Sequence, residues 1–253
     1  MPELPEAETI VRTLAPHLVR RRILRVDYLA ARACRGPRPK LDGRMVTGLR
    51  RHGKQILIAL DEGFLLVKLG MTGSLRVDAP AGPYTRAVIH LDRGTVNFDD
   101  IRQFGSLEWR AEPPGSGPDP MEIGAADLAA RLAGCNSAIK RLLLDQSFLR
   151  GIGNIYADEI LFRAGIDPRA RRLGRARAAK LHSAMREVLA LAIRHRGSSV
   201  SDYVDAAGAR GGFQKLHQVY RRNGQPCPRC GAPIRRIVVA QRGTHFCAKC
   251  QRR

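Results

Sequence analysis

The sequence predicts an α+β chain of more than one domain. A helix comes first, then an antiparallel β-sandwich or barrel, then a helical region ending in a small metal-bearing hairpin. Three observations predict it. Short apolar runs broken by turn residues fill positions 23 to 109, a stretch dense in Pro and Gly follows, and two Cys-x-x-Cys pairs stand near the end. At roughly 150 residues per domain, 253 residues suggest one large domain or two smaller ones.

The elements follow in order. Residues 5–19 read as an amphipathic helix, because Pro5 suits a first turn and Ala7, Val11, Leu14 and Leu18 recur three and four apart. Runs 55–60, 64–69, 74–77 and 87–91 are strand-like, with hairpin turns at 61–63 and 92–94. Many short strands after one helix imply a sandwich or barrel. Residues 112–120 carry too much Pro and Gly for helix or strand and read as a linker. Helices are expected at 125–133, 137–145, 155–164 and 176–194, with Ser137 and Asn154 as N-caps. From about Gln225 onward the texture is strand and turn around cysteines.

Composition excludes several classes. No apolar stretch approaches the ~18 residues of a membrane span. The acidic opening lacks the basic-then-apolar order of a secretory signal. Lys and Arg number 44 against 23 Asp and Glu, a net charge of +21 that points to a polyanionic partner, nucleic acid first and anionic membrane second. A chain this long buries a core without disulfide staples, so a reduced, cytoplasmic setting is expected.

CPRC at 227–230 and CAKC at 247–250 enclose 16 residues. That spacing fits a four-thiolate zinc site of Cys227, Cys230, Cys247 and Cys250. Four sulfurs leave no open coordination position, so one structural Zn2+ is expected and no catalytic one. Cys34 and Cys135 lack such spacing and read as small buried apolar residues.

Several segments together resemble the formamidopyrimidine-DNA glycosylases. They are PELPEAET at 2–9, LGMTG at 69–73, DIRQFG at 100–105, GIGNIYADE at 151–159 and the closing zinc ribbon. The resemblance runs nearly end to end. It implies a catalytic β-sandwich domain with a flanking helix at 1–112, a linker at 113–121, a helix–two-turn–helix domain at 122–222 and a zinc-finger hairpin at 223–253. It also implies a bifunctional glycosylase and AP lyase for oxidised purines. Such an enzyme binds damaged duplex DNA as a monomer, in the cytoplasm at the nucleoid, with no small-molecule cofactor.

The roles implied for single residues have a chemical logic. Once Met1 is trimmed, Pro2 carries an α-amine with a pKa of roughly 8, against about 10.4 for Lys, so more of it is uncharged and nucleophilic near neutrality. By resemblance Pro2 attacks the sugar C1′, Glu3 moves protons to and from the opened sugar, Glu6 supports the amine, and Lys54 meets phosphate and damaged base. The base must leave the stack to be reached. Met71, Arg102 and Phe104 match the residues that fill the gap, two apolar wedges and one donor to the orphaned partner base. Asn154 and Arg242 match phosphate clamps, Lys68 and Tyr220 join the DNA-binding set, and 200–213 aligns with the loop over the flipped base. Arg169, Arg171, Arg172, Arg175, Arg177 and Lys180 form a basic run of less specific meaning.

Departures from the family pattern are Lys68 in place of a common His, Gln103 in place of a basic residue, and Arg221 where Gly is frequent. Two rivals remain at this level. An endonuclease VIII-type enzyme for oxidised pyrimidines usually opens Pro-Glu-Gly-Pro-Glu, where this chain has Leu4. A non-catalytic zinc-ribbon DNA-binding protein fits the composition equally well.

Overall fold

The computed structural model describes residues 2–34, 38 and 40–253. They divide into two compact units, Met1–Gly115 with His195–Gln214, and Ser116–Arg194 with Lys215–Arg253.

The first unit opens with helix α1 (Leu4–Leu18), which buries Leu4, Ala7, Ile10, Val11, Leu14 and Leu18. Eight strands follow: β1 (Ile23–Tyr28), β2 (Val46–His52), β3 (Gln55–Leu60), β4 (Phe64–Lys68), β5 (Ser74–Val77), β6 (Thr85–Leu91), β7 (Thr95–Asp99) and β8 (Ser106–Arg110). They form two four-stranded antiparallel sheets, ordered β1-β6-β7-β5 and β2-β3-β4-β8. Ile56, Ile58, Leu65 and Val67 of one sheet share a core with Leu75, Ile89, Val96 and Phe98 of the other and with α1. Two packed sheets make this a sandwich and not a closed barrel. The expected turns close hairpins, with the Leu60 and Leu91 amides donating to the carbonyls of Gly63 and Gly94 at 3.0 Å each.

Residues 195–214 return to this unit. Tyr203 and Ala206 lie in its core. The Val77 N–H donates to the Ala206 carbonyl at 3.1 Å, and the Ala206 N–H donates to Thr13 Oγ1 at 3.3 Å. The buried Asp205 carboxylate holds the turn together, accepting the amides of Ala207 and Ala209 at 3.0 and 2.9 Å and pairing with Arg196.

The second unit contains α2 (Ala125–Ala133), α3 (Ile139–Leu144), α4 (Asn154–Ala164) and α5 (Arg175–Arg194), then the hairpin β9 (Arg235–Val239) and β10 (Arg242–Phe246). Residues 155–162 of α4 are all buried, so it is the central helix of its unit. It ends in a Schellman pair, the Ile166 and Gly165 amides donating to Leu161 and Phe162 carbonyls at 2.9 and 3.1 Å. Residues 112–120 contain no helix or strand, as their Pro and Gly content predicts.

Two expected caps are corrected. The N-cap of α3 is Ala138 and that of α4 is Gly153, neither with a side-chain cap. Ser137 precedes its cap position, and Asn154 is already the first helical residue, its side chain donating to the Gly243 carbonyl instead of capping the helix.

Candidate active site and metal centre

The N-terminal motif is built around a reciprocal cap. Glu3 occupies the N-cap of α1, its side chain accepts the Glu6 backbone N–H, and its own N–H donates to Glu6 Oε2 at 2.7 Å. Glu6 Oε1 accepts the Ser198 N–H at 2.7 Å, so one carboxylate ties the helix start to the returning segment. Glu3 and Glu6 are both buried. Pro2 is also buried, just before the helix. While Met1 precedes it Pro2 is an amide, and the nucleophilic amine exists only after that residue is removed. Met1 lies outside the described residues.

Lys54 does not open a strand, as its sequence context suggests. It is the second residue of a two-residue hairpin turn, since His52 pairs with Gln55 and Gly53 takes φ 64°. A positive φ at the first turn position alone matches the II′ type that suits a twisted hairpin. The turn leaves the Lys54 side chain half-buried.

Met71, Arg102 and Phe104 come together on two loops of the first unit. Arg102 Nη1 lies 3.0 Å from Met71 Sδ, and the guanidinium carbon stands 4.7 Å from the centre of the Phe104 ring. Met71 is 42% exposed and Phe104 53%, so neither is a core residue despite its apolar side chain. What holds them out is Asp100, itself buried. Its Oδ2 accepts the Gly105 N–H at 2.7 Å, and its Oδ1 accepts the Thr72 hydroxyl at 2.5 Å and the Arg102 N–H at 3.2 Å. The two loops also touch backbone to backbone. Gly70 has φ 60°, and a Cβ there would meet Gly105 N and the Phe104 carbonyl carbon at 2.7 Å.

Lys68, at the end of β4, is held by Glu108 of β8, Nζ to Oε2 at 2.9 Å. The Lys68 hydrogen bond, with a second from Arg110, keeps the Glu108 carboxyl below its ordinary range.

In the second unit, Asn154 and Arg242 share a junction. Asn154 Nδ2 donates to the Gly243 carbonyl at 3.0 Å, next to Arg242 at the start of β10. An amide nitrogen has two donors, so this bond leaves one for an anion at the uncapped start of α4. Arg242 is exposed and follows a two-residue turn whose members, Ala240 and Gln241, both have positive φ. Tyr220 stacks edge-on with His217 and His245, ring centres 5.5 and 5.4 Å apart. Beside it Arg221 adopts φ 59°, the left-handed region where Gly is at ease.

Beneath these residues lies a buried ionic network that the sequence reading missed. Lys140 Nζ, wholly buried, donates to Asp158 Oδ1 at 2.6 Å, Thr244 Oγ1 at 2.8 Å and the Gly243 carbonyl at 3.3 Å. Asp158 Oδ2 takes the His245 N–H at 2.8 Å. Glu159 accepts the amides of Gln218, Val219 and Tyr220 between 2.8 and 3.1 Å, while burial still raises its pKa. Two adjacent acids inside an otherwise apolar helical run were the available signal, since buried charges must find partners.

The four zinc-motif sulfurs lie within 4.8 Å of one another, Cys227 to Cys250 at 3.8 Å and Cys230 to Cys247 at 3.5 Å. Zn–S bonds of about 2.3 Å in a tetrahedron put sulfurs about 3.8 Å apart, whereas a disulfide needs about 2.05 Å. The four thiolates are placed to hold one zinc ion, packed on Phe162, Val219 and Ile234. Cys34 and Cys135 are half-buried, not fully buried as expected, and burial raises the Cys34 thiol pKa.

Comparison with known proteins accounts for nearly the whole chain. Residues 1–107 match the formamidopyrimidine-DNA glycosylase N-terminal domain, 115–204 its H2TH domain, and 224–253 the zinc finger found in FPG and IleRS. The chain is 51% identical over 265 residues to a formamidopyrimidine-DNA glycosylase of Solibacter usitatus, each covered completely. One of Methylococcus capsulatus is 42% identical, again with both chains covered completely. Among solved structures, the MutM (Fpg) protein of Thermus thermophilus matches with TM-score 0.89 and 41% identity, covering 99% of this chain and 98% of that one. Lactococcus lactis Fpg in complex with abasic-site DNA matches with TM-score 0.91 and 32% identity, covering 99% and 100%.

Proposed function

The chain belongs to the formamidopyrimidine-DNA glycosylase family, and from that membership we infer that it is a DNA glycosylase and AP lyase of base excision repair that acts on oxidised purines in duplex DNA. Its substrates are 8-oxoguanine and formamidopyrimidines, and its workplace is the bacterial cytoplasm with its nucleoid. The zinc ion is structural, because the four thiolates fill its coordination sphere.

The observation that carries this reading is the exposed cluster of Met71, Arg102 and Phe104. Two large apolar groups held in solvent beside a guanidinium make little sense in a free protein. They make good sense as a plug for the gap left by an extruded base, the apolar pair replacing lost stacking and the Arg bonding to the widowed base. The mature Pro2 amine then attacks C1′ as the glycosidic bond breaks and the base leaves with its electron pair. The amine gives up its proton, and the sugar ring opens as O4′ takes one, which leaves an iminium at C1′ and makes the C2′ proton acidic. Its removal expels the 3′ phosphate, and a second elimination expels the 5′ phosphate. Glu3 exchanges the protons with the opened sugar, Glu6 positions the N-terminus, and Lys54 meets phosphate and base. Lys68, Asn154, Tyr220 and Arg242 hold the backbone.

Borohydride reduction on lesion-containing duplex tests the reading. A covalent adduct at residue 2, lost in Pro2→Gly, is expected, with 8-oxoguanine cleaved in preference to thymine glycol. Absence of any adduct would favour a non-catalytic DNA-binding protein, and the reverse lesion preference an endonuclease VIII-type enzyme.

A further inference from the structure

Between Asp167 and Glu187 the chain has no acidic residue, yet it carries Arg169, Arg171, Arg172, Arg175, Arg177 and Lys180. All are exposed except Arg177, which is half-buried. The fold adds two more cations. Arg177 Nη2 and the Asp167 N–H both donate to the Arg252 carbonyl, at 2.6 and 2.9 Å, which brings exposed Arg252 and Arg253 onto the same face. Among the described residues Asp167 is the one carboxylate against this face, with both its oxygens bound by Arg169 at 2.9 and 2.7 Å and a weaker attraction to Arg253.

Such crowding works against stability. Like charges repel, and α5 opens with arginines and no acid in its first turn, opposite to what its dipole favours. Two structural rulers separate this face from the residues proposed to grip phosphate. Asn154 starts α4 and the face is anchored just past its other end, about 16 Å away at 1.5 Å per residue. Arg242 starts β10, while Arg169 lies over the ring of Phe246 at its far end, about 13 Å further along. Asn154 bonds to the Gly243 carbonyl, so the starts of α4 and β10 lie together and both elements run back toward the face. A straight duplex laid across those starts leaves the face clear, because bending back along them is costly for a stiff duplex.

We propose that this arginine face is a second contact for the phosphate backbone of duplex DNA, indifferent to damage, that lets one molecule hold two DNA segments. It rests on the proposed function only for the location of the first duplex. A second contact supplies what hopping between segments needs: the new duplex is gripped before the old one is released. Its energy is electrostatic, so it weakens steeply with salt.

The test is stoichiometry. An undamaged duplex of about 15 base pairs is titrated into the full-length zinc-loaded protein at low salt and followed by sedimentation. Two duplexes per chain are expected for the parent. The triple variant Arg171→Gln, Arg172→Gln, Arg175→Gln should weaken the second step by about tenfold or more and leave the first within about twofold, the removal of three charges acting through counterion release. Neutral glutamines relieve repulsion, so the variant should melt no lower than the parent. Single-turnover cleavage of an 8-oxoguanine duplex should be unchanged. A parent that binds one duplex only, or a variant that keeps the second step, overturns the proposal. Loss of cleavage in the parent itself would instead count against the proposed function.

Discussion

The Glu6 carboxylate receives the backbone N–H of Ser198 at 2.7 Å, joining residues 192 positions apart. The same carboxylate holds the Glu3 N–H through its other oxygen, also at 2.7 Å. The start of the chain and the segment at 195–214 are therefore two ends of one polar link, buried on both sides.

That link makes Gly197 critical. Its φ is 74°, and a Cβ there would sit 2.5 Å from Glu6 Oε1. Gly197→Ala combines backbone strain of about 1–3 kcal/mol with displacement of the carboxylate. The melting temperature should fall by about 2–4 °C per kcal/mol. Single-turnover cleavage of an 8-oxoguanine duplex should slow by roughly one to two orders of magnitude if Glu6 positions the nucleophile. An unchanged cleavage rate would remove Glu6 from that role.

His217 sets an acid limb of stability. Burial, with Arg221 nearby, pushes its pKa from 6.5 down to about 4. Between those values the unfolded chain binds a proton that the folded one refuses, so stability is intact above pH 6.5 and lost as pH falls toward 4. Within that window the loss is about 1.4 kcal/mol per pH unit. His217→Gln should therefore narrow the gap between melting temperatures measured at pH 7.5 and pH 5.5. A gap as wide as the parent's would exclude His217 as the cause.

Arg221→Gly should stabilise the second unit. Arg221 holds φ 59°, and relief of a left-handed non-glycine residue is worth about 1 kcal/mol, offset in part by the greater freedom of glycine in the unfolded chain. Removing the guanidinium should also let the His217 pKa rise, measurable by NMR titration of its ring. A lower melting temperature would mean that the arginine side chain makes a contact outweighing its strain.

The zinc thiolates carry the hairpin. Cys247→Ser, or a strong chelator, should abolish zinc content and with it the packing of Phe162, Val219 and Ile234 around the sulfurs. Binding to undamaged duplex should weaken sharply because Arg242 loses its frame. Retention of full affinity in zinc-free protein would show that the hairpin does not contribute to DNA binding.

Much of this protein was legible in sequence because its signals are local. Three-and-four spacing marks α1, alternation and turn residues mark the hairpins, and the Cys-x-x-Cys pairs specify a metal site before any fold is known. Local chemistry did not reveal that Asp100 would hold Met71 and Phe104 out in solvent, since an apolar side chain reads as core by default. Nor did it reveal Lys140 beneath the zinc hairpin, bonded to Thr244 across 104 positions, or the return of 195–214 to the first unit. Those features are pairings of single polar groups far apart in the chain. They leave no periodic trace, because a buried charge needs a partner somewhere but nothing nearby in sequence says where. The helices, four of the eight sandwich strands and the zinc ligands came from sequence. Tertiary structure alone decided which loop the Glu6 carboxylate would grip, because only closure of the fold brings Ser198 within hydrogen-bonding distance of it.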